Sequence, residues 1–427
     1  MDLNNDFEDI DRLRALQQKE NNGRMARRFV SGIIIGFLCA VLAVSGLVFY
    51  LISQNRMVRQ SIVGPGESEL LTDESIAKIQ ALESVIDTYY YKSDLDKQDQ
   101  IDGIYKGLME SLNDPYTEYY TESELKELTA DVQGIYFGIG AYVSYDSTLG
   151  MARISGVMPG SPAEKAELCI DDIIYEVDKE STQGLSLEEV VGRIKGEAGT
   201  QVHLTLVRSG VSDYVEVDVE RAQIEVPTVS TEVYEDNIGY LKITEFDEVT
   251  TAQFIDGLAE LRAQNIEGLI IDLRSNPGGS LATVCDIARQ ILPEGIIVYT
   301  EDKEGHRENY KNEEDHKIDI PLVVLTNQYS ASASEILAGA IKDYGLGTLV
   351  GKTTYGKGIV QRIFDLRDGT AVKLTVSSYF TPNGVNIHGI GIEPDVEVDF
   401  DSEAYANDKT DTQLDKGIEV MKELLDK

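Results

Sequence analysis

The hydropathy pattern opens on an uncharged apolar run, Phe29 to Ser53 (FVSGIIIGFLCAVLAVSGLVFYLIS), 25 residues long. A helix of that length crosses the hydrocarbon core of a bilayer with some tilt. Arg24, Arg27 and Arg28 precede it closely, and only Arg56 and Arg59 follow. That bias places residues 1–28 in the cytoplasm and the rest of the chain outside. The run is long for the apolar core of a cleaved export signal, and no A-x-A site follows it. An uncleaved single-pass anchor in the plasma membrane is therefore expected over a signal peptide. Residues 54–72 form a polar tether around Gly64-Pro65-Gly66.

From 73 to 130 the apolar positions recur at helical spacing. Ile76, Ile79, Leu82, Val85 and Ile86 form one stripe, and Ile104, Leu108 and Leu112 another. Asn113-Asp-Pro115 breaks the pattern. Beyond 131 the period shortens. Strand-like runs at 151–157, 202–208 and 213–219 alternate with helices expected over Ser161–Leu168 and Leu187–Lys195. This predicts a small β-rich domain over residues 131–225. Near its start, Gly138-Ile139-Gly140 forms either a plain hairpin turn or a nest of N–H groups for a carboxylate, beside a sheet edge open to an added strand.

Residues 226–400 have α/β rhythm. Strands are expected at Ile238–Ile243, Gly268–Leu273, Pro321–Thr326, 348–351, 359–366 and 371–379, with helices at Thr251–Gln264, near 282–292, and after the third strand up to Gly345. The tail, 401–427, reads as helical from 411. The fold class is multidomain α+β: a transmembrane helix, a helical region, the β-rich domain and an α/β core.

Charge narrows the function. The formal net charge of −37 excludes a nucleic-acid partner. Three scattered cysteines, Cys39, Cys169 and Cys285, make neither a disulfide framework nor a zinc site. No H-E-x-x-H pattern is present, no G-x-S-x-G frames the alternate serines, and S-x-x-K fails at Ser332, where the residue three positions on is Glu335.

Chemistry concentrates in three segments of the α/β region. Asn327 to Ala340 carries serines at 330, 332 and 334 between a strand and a helix. Ser332-Ala-Ser-Glu335 fits a helix capping box, yet the same place offers open N–H groups for a developing negative charge. Four histidines (His203, His306, His316, His388) are scattered, and spacing favours none as a base. Gly356-Lys357-Gly358 offers a lysine between two glycines, with Gln361 four residues on. A lysine acts as a base once burial lowers its pKa; in a turn it is ordinarily a solvated charge. Asp272-Leu-Arg-Ser-Asn-Pro-Gly-Gly279 ends a strand in a turn able to aim N–H groups at an oxyanion.

As an ordered set, with Asp114-Pro-Tyr-Thr-Glu118 upstream and Thr381-Pro-Asn-Gly384 and Gly391-Ile-Glu-Pro-Asp395 downstream, these segments resemble the carboxyl-terminal processing (tail-specific) proteases over about residues 75–425. The family pairs a serine with a lysine 25 positions later and a glutamine four further on. The resemblance thus implies Ser332 as nucleophile, Lys357 as general base and Gln361 as its orienting group. It also implies oxyanion donors at Ala333 and at Gly278 or Gly279, no metal or cofactor, and a PDZ domain at 131–225 whose Gly138, Ile139 and Gly140 bind a peptide carboxylate. The chain departs from the family at Glu167 and Asp171, where relatives carry turn-shaping glycines, so a different local loop is expected.

The expected function is a membrane-anchored serine endopeptidase that cleaves protein substrates near their free C-termini and is gated by PDZ recognition. Helical flanks would support a homodimer. The alternative is a non-catalytic PDZ receptor with a protease-like domain.

Overall fold

The computed structural model describes residues 69–92, 94–315 and 317–426. The expected membrane helix, the cytoplasmic segment, Cys39 and His316 lie outside these residues. Among the described residues no helix is long and apolar enough to cross a membrane.

The chain divides at Leu95 into two units. The first contains α1 (Asp73–Tyr89), capped by the Thr72 hydroxyl, which accepts from the Ser75 N–H. Its apolar stripe buries nothing: Ile76, Ile79, Leu82, Val85 and Ile86 are all exposed.

The second unit begins with α2 (Lys97–Glu110), β1 (Glu118–Tyr120) and α3 (Glu122–Gln133). Thr121 and Glu124 close a capping box on α3, and Gly134 ends it in the left-handed conformation, φ 68°. The helical reading of 73–130 is corrected at β1. Tyr119 and Tyr120 are buried there as part of a sheet whose other strands lie more than 170 residues away, a pairing that local periodicity does not encode.

The small domain comprises β2 (Ile135–Gly138), β3 (Ala141–Asp146), β4 (Met151–Val157), α4 (Pro162–Lys165), β5 (Ile173–Val177), β6 (Glu180–Ser181), α5 (Leu187–Ile194), β7 (Gln201–Val207), β8 (Val215–Glu220) and β9 (Ala222–Glu225). Its antiparallel sheet runs β3-β4-β5-β7-β8, with β6 on β5. Alternate inward positions such as Ile154, Ile174, Leu204 and Leu206 pack with Val190 and Ile194 of α5. β2 pairs with β9, and the Val226 N–H donates to Gly134 O at 2.8 Å, so the domain enters and leaves through one paired stalk. Glu167 and Asp171 form tight turns despite their side chains, at φ 57° and 71°. Asp171 is paired with Arg153 at 3.1 Å, and the buried Asp172 takes both ends of the Arg208 fork at 2.7 Å.

The core domain follows with β10 (Val229–Tyr234), β11 (Ile238–Ile243), α6 (Thr250–Ala263), β12 (Gly268–Asp272), α7 (Leu281–Arg289), β13 (Gly295–Asp302), β14 (Arg307–Asn312), β15 (Leu322–Thr326), α8 (Ala333–Asp343), β16 (Thr348–Gly351), β17 (Ile359–Asp365), β18 (Ala371–Phe380), β19 (Val396–Glu397), α9 (Ser402–Asp408) and α10 (Thr412–Leu425). The main sheet runs β10-β11-β12-β15-β16-β19, parallel except for β10. β12 and β15 are buried at every position, as an apolar run covered on both faces requires. One face packs on α6, α7 and α8 together with Val298 and Tyr379 of the second sheet; the other packs on Val420 and Met421 of α10. The second sheet is antiparallel, β1-β18-β13-β14 with β17 also on β18. The charged stretch around His306 is the β13–β14 hairpin, an edge too polar to announce itself by alternation. Cys169 and Cys285 are free thiols, the first exposed and the second in the core.

Candidate active site

The three alternate serines have different surroundings. The Ser330 hydroxyl donates to Leu273 O at 2.8 Å and accepts from the Asn327 N–H at 3.0 Å. The Ser334 hydroxyl donates to Asn276 O at 3.0 Å. Both side chains are buried fasteners. Ser332 stands between them at the head of α8, and its hydroxyl makes no cap bond. Its backbone is held at φ 53°, ψ −114°, a conformation that costs a non-glycine residue on the order of 1–3 kcal/mol. Strain of this kind needs surrounding bonds to hold it.

Glu335 supplies them. It is fully buried, and its carboxylate accepts four hydrogen bonds. One oxygen takes the Thr354 hydroxyl at 2.6 Å and the Gly356 N–H at 2.7 Å. The other takes the N–H groups of Ser332 at 2.8 Å and Lys357 at 2.9 Å. The expected capping box is therefore only half present: the carboxylate reaches back to Ser332, whereas the Glu335 N–H goes to the Ser332 carbonyl at 2.8 Å and not to its hydroxyl. The buried Tyr379 hydroxyl faces the carbonyls of the same two residues, Ser332 and Lys357. One carboxylate and one phenol thus register the serine turn against the lysine turn.

The glycines around Lys357 are steric requirements. A Cβ on Gly358 would stand 2.6 Å from the His388 N, and one on Gly356, which has φ 87°, would stand 3.0 Å from the Gly391 N. Lys357 is half-buried, with Nζ 4.3 Å from the centroid of the Tyr116 ring. Burial, then the charge of Lys373, holds its pKa below the ordinary lysine value, against the pull of Asp114 and Glu335. No hydrogen bond joins Nζ to the Ser332 hydroxyl among the described residues. Both line one cleft of about 550 Å³, together with Ala333, Gly279, Gln361 and Tyr116.

Asn276 shapes the facing loop: its Oδ1 accepts the Gly278 N–H at 2.8 Å, and its Nδ2 donates to Ile243 O at 3.0 Å. Gly278 is buried with its N–H already used, and a Cβ there would meet the Ser332 Cβ at 2.8 Å. Gly279 is exposed, and its N–H has no partner among the described residues. The Ala333 N–H, first in α8, has no acceptor within the helix. Gln361 lies at a bulge in the β17–β18 pairing, and its Nε2 donates to Thr375 Oγ1 at 3.3 Å.

None of the described histidines lines this cleft. His203 is bonded to Asp218 at 2.7 Å in the small domain, His306 to Asp302 at 3.0 Å in the hairpin, and His388 is exposed. In the small domain, Ile139 and Gly140 offer N–H groups without partners among the described residues, while their carbonyls accept from Ala163 and Met158. Gly140 has φ 78°, and a Cβ there would strike Ser161 at 2.3 Å. The loop opens into a groove of about 500 Å³ between β3 and α5, lined by Val143, Val191 and Ile194. β3 ends its sheet, so its outer edge can take an added strand.

Residues 237–398 match peptidase family S41, and residues 153–208 match the PDZ domain. Over 375 residues the chain is 35% identical to the carboxy-terminal processing protease CtpA of Bacillus subtilis, covering 88% of this chain and 78% of that protein. The chain belongs to the carboxyl-terminal processing proteases of family S41. It is also similar to the carboxyl-terminal-processing protease of Synechocystis sp., 34% identical over 338 residues that cover 78% of this chain and 79% of that one. A solved structure, the putative S41 protease from Bacteroides fragilis, shares the fold with a TM-score of 0.50 at 16% identity, covering 80% of this chain and 97% of that chain. As an S41 peptidase the protein is a serine peptidase with a PDZ domain, not the peptide-binding scaffold weighed from sequence.

Proposed function

We propose that this S41 protease is a membrane-anchored, extracytoplasmic endopeptidase that cleaves protein substrates near their C-termini, with Ser332 as nucleophile and Lys357 as base, and that PDZ capture of C-terminal peptides gates it. One observation carries the mechanism. Of the three alternate serines, only Ser332 has a hydroxyl not spent on the fold, and it shares a cleft with a half-buried lysine of lowered pKa. In the reaction Nζ leaves the face of Tyr116, comes within hydrogen-bond reach of Oγ and takes its proton as Oγ attacks the scissile carbonyl. The Gly279 and Ala333 N–H groups then receive the oxyanion, helped by the positive end of α8. The protonated lysine passes its proton to the leaving amine, and water releases the acyl-enzyme. Gln361 is the orienting group: its amide nitrogen is fixed on Thr375, which leaves its oxygen to accept from Nζ. The 29–53 run supplies the anchor, and the exposed stripe on α1 fits a second copy of the chain.

An unperturbed lysine is neutral in only about 0.04% of molecules at pH 7. The lowered pKa of Lys357 enlarges that fraction, and activity should rise with pH as the proton leaves. The expected kcat/KM profile climbs through one ionisation below the ordinary lysine value of 10.5. Labelling of Ser332 by a fluorophosphonate, located by mass spectrometry, should follow the same curve. Lys357→Arg keeps the charge but cannot lose it, and should neither label nor cleave. A flat profile, or label on another residue, would remove the serine–lysine assignment. For gating, a peptide with a free C-terminal carboxylate should raise kcat while its C-terminal amide does not, since the Ile139 and Gly140 N–H groups need an anion; equal effects would exclude the carboxylate loop as the sensor.

A further inference from the structure

Asp247 lies where the catalytic cleft meets the peptide groove, and it lines both. Its position relative to the chemistry is fixed by the backbone. The preceding residue, Phe246, donates its N–H to Gly278 O at 2.8 Å and accepts from the Ser280 N–H at 2.7 Å, so it is paired with the loop facing Ser332. The ordinary task of an aspartate just ahead of a helix is to cap it. Here that task is unfilled: α6 has no side-chain cap, and Asp247 uses only its backbone, donating to Thr250 Oγ1 at 2.9 Å and accepting from the Thr250 N–H at 3.0 Å. The residue is buried, 6% exposed, with its carboxylate at the open space that cleft and groove share, and among the described residues that carboxylate accepts no hydrogen bond and has no ion-pair partner. The carboxylates of Glu245 and Asp131 stand at the rim. Burial, with these two charges, pushes the Asp247 carboxyl up to about 7.

The lysines of the cleft do not neutralise it. Lys357 lies over Tyr116, and Lys373 is held by Glu118 and Tyr120. A carboxylate of a largely buried residue, set beside two others and without a cation, costs the fold stability. Such a group is retained at a functional site, where something else completes it. The nucleophile's cleft and the peptide groove share three carboxylates in their lining, Asp131, Glu245 and Asp247.

We infer that Asp247, with Glu245 and Asp131 at its rim, is a subsite for a lysine or arginine side chain of the substrate segment running between the PDZ groove and Ser332. The inference rests on the reading of the cleft around Ser332 as the place of cleavage. It makes the enzyme selective for a basic residue at one fixed distance from the scissile bond, whatever residues flank that bond.

The test uses the full-length chain and fluorogenic peptides that differ only in lysine or glutamine, at each of the four positions on either side of the cleaved bond. At one position lysine is expected to raise kcat/KM by about tenfold, the effect of one buried ion pair of ~1.4 kcal/mol. Asp247→Asn should bring the ratio within about twofold, and Glu245→Gln should lower it partway. Binding decides the matter without turnover. The Ser332→Ala protein should bind the preferred lysine peptide about tenfold more tightly than its glutamine twin, and adding Asp247→Asn should erase the difference. If Asp247→Asn does not fold, the exposed pair Asp131→Asn with Glu245→Gln carries the test, with the ratio expected to fall at least about threefold. Equal binding of the two peptides by the unsubstituted subsite, or a preference that survives Asp247→Asn, overturns the inference. Residual cleavage by Ser332→Ala would instead count against the serine assignment and leave the binding comparison to decide the subsite.

Discussion

Replacing Ser332 with alanine is expected to cut kcat/KM by at least about 10⁴-fold and to leave the unfolding free energy unchanged. The two outcomes follow from the same fact. The hydroxyl makes no cap bond, so the fold loses nothing when it goes, whereas the proposed reaction loses its attacking atom. Lys357→Ala should cost a comparable factor. The double variant should be no worse than either single one, because a nucleophile and its base fail as a unit. Progress curves on an unfolded protein substrate, paired with urea unfolding of each variant, measure both quantities. Ser332→Gly adds a control. It removes the hydroxyl and also relaxes the φ of 53°, so it should be inactive and about 1 kcal/mol more stable than wild type. Activity above background in Ser332→Ala would contradict the assignment outright.

Glu335→Ala is expected to damage stability and activity together. The side chain is fully buried and its carboxylate serves four donors from two segments, so its removal strands the N–H groups of Ser332, Gly356 and Lys357 and the Thr354 hydroxyl. An unmet buried donor costs about 1–3 kcal/mol, and the four do not add fully; a loss of about 3–5 kcal/mol is expected. Activity should fall by about 10- to 100-fold, because the serine and lysine turns would no longer be held in register. Glu335→Gln should fall between, since its amide offers one oxygen where two are used and turns N–H toward N–H. The split between kcat and KM identifies the cause. Misplaced catalytic groups lower kcat, whereas a general loosening of the cleft would raise KM. An Ala variant with wild-type kcat would show that the carboxylate only stabilises the fold.

Much of this architecture was legible because the chain's periods are clean where burial is two-sided. β11, β12, β15 and β16 are apolar runs ended by turn residues, and the structure places them within a residue or two of the sequence reading. β1 and β14 were not legible. The first is three residues long and depends on a partner 250 positions away; the second is an edge strand whose side chains mostly face water. The same division holds at the candidate site. Ser332, Lys357 and Gln361 emerge from spacing together with a family resemblance. Glu335 is visible in sequence only as a helix-capping residue, because its second attachment, to the lysine turn, is a tertiary fact. The roles of Tyr379 and Asn276 are not legible: Tyr379 acts through backbone carbonyls of two distant turns, and Asn276, though inside the Asp272–Gly279 segment, is anchored on the distant Ile243 carbonyl. The choice between Gly278 and Gly279 could not be made from two adjacent glycines. It rests on which N–H the Asn276 side chain already occupies.

The paired stalk beneath the PDZ domain has an architectural consequence. The chain leaves the core at Gly134 and returns at Val226, and those two residues are joined by a 2.8 Å hydrogen bond. The entire PDZ domain therefore hangs from a gap no wider than a strand pair. It could be excised or exchanged for another β-rich module with short linkers and without rerouting the catalytic chain. The next hydrogen bond along, from the Glu248 N–H to Val132 O at 3.0 Å, ties the same stalk to the loop bearing Asp247. A module grafted there would keep that bond to the segment carrying Asp247, so the fold is a socket in which one small domain can change while its attachment to the core is retained.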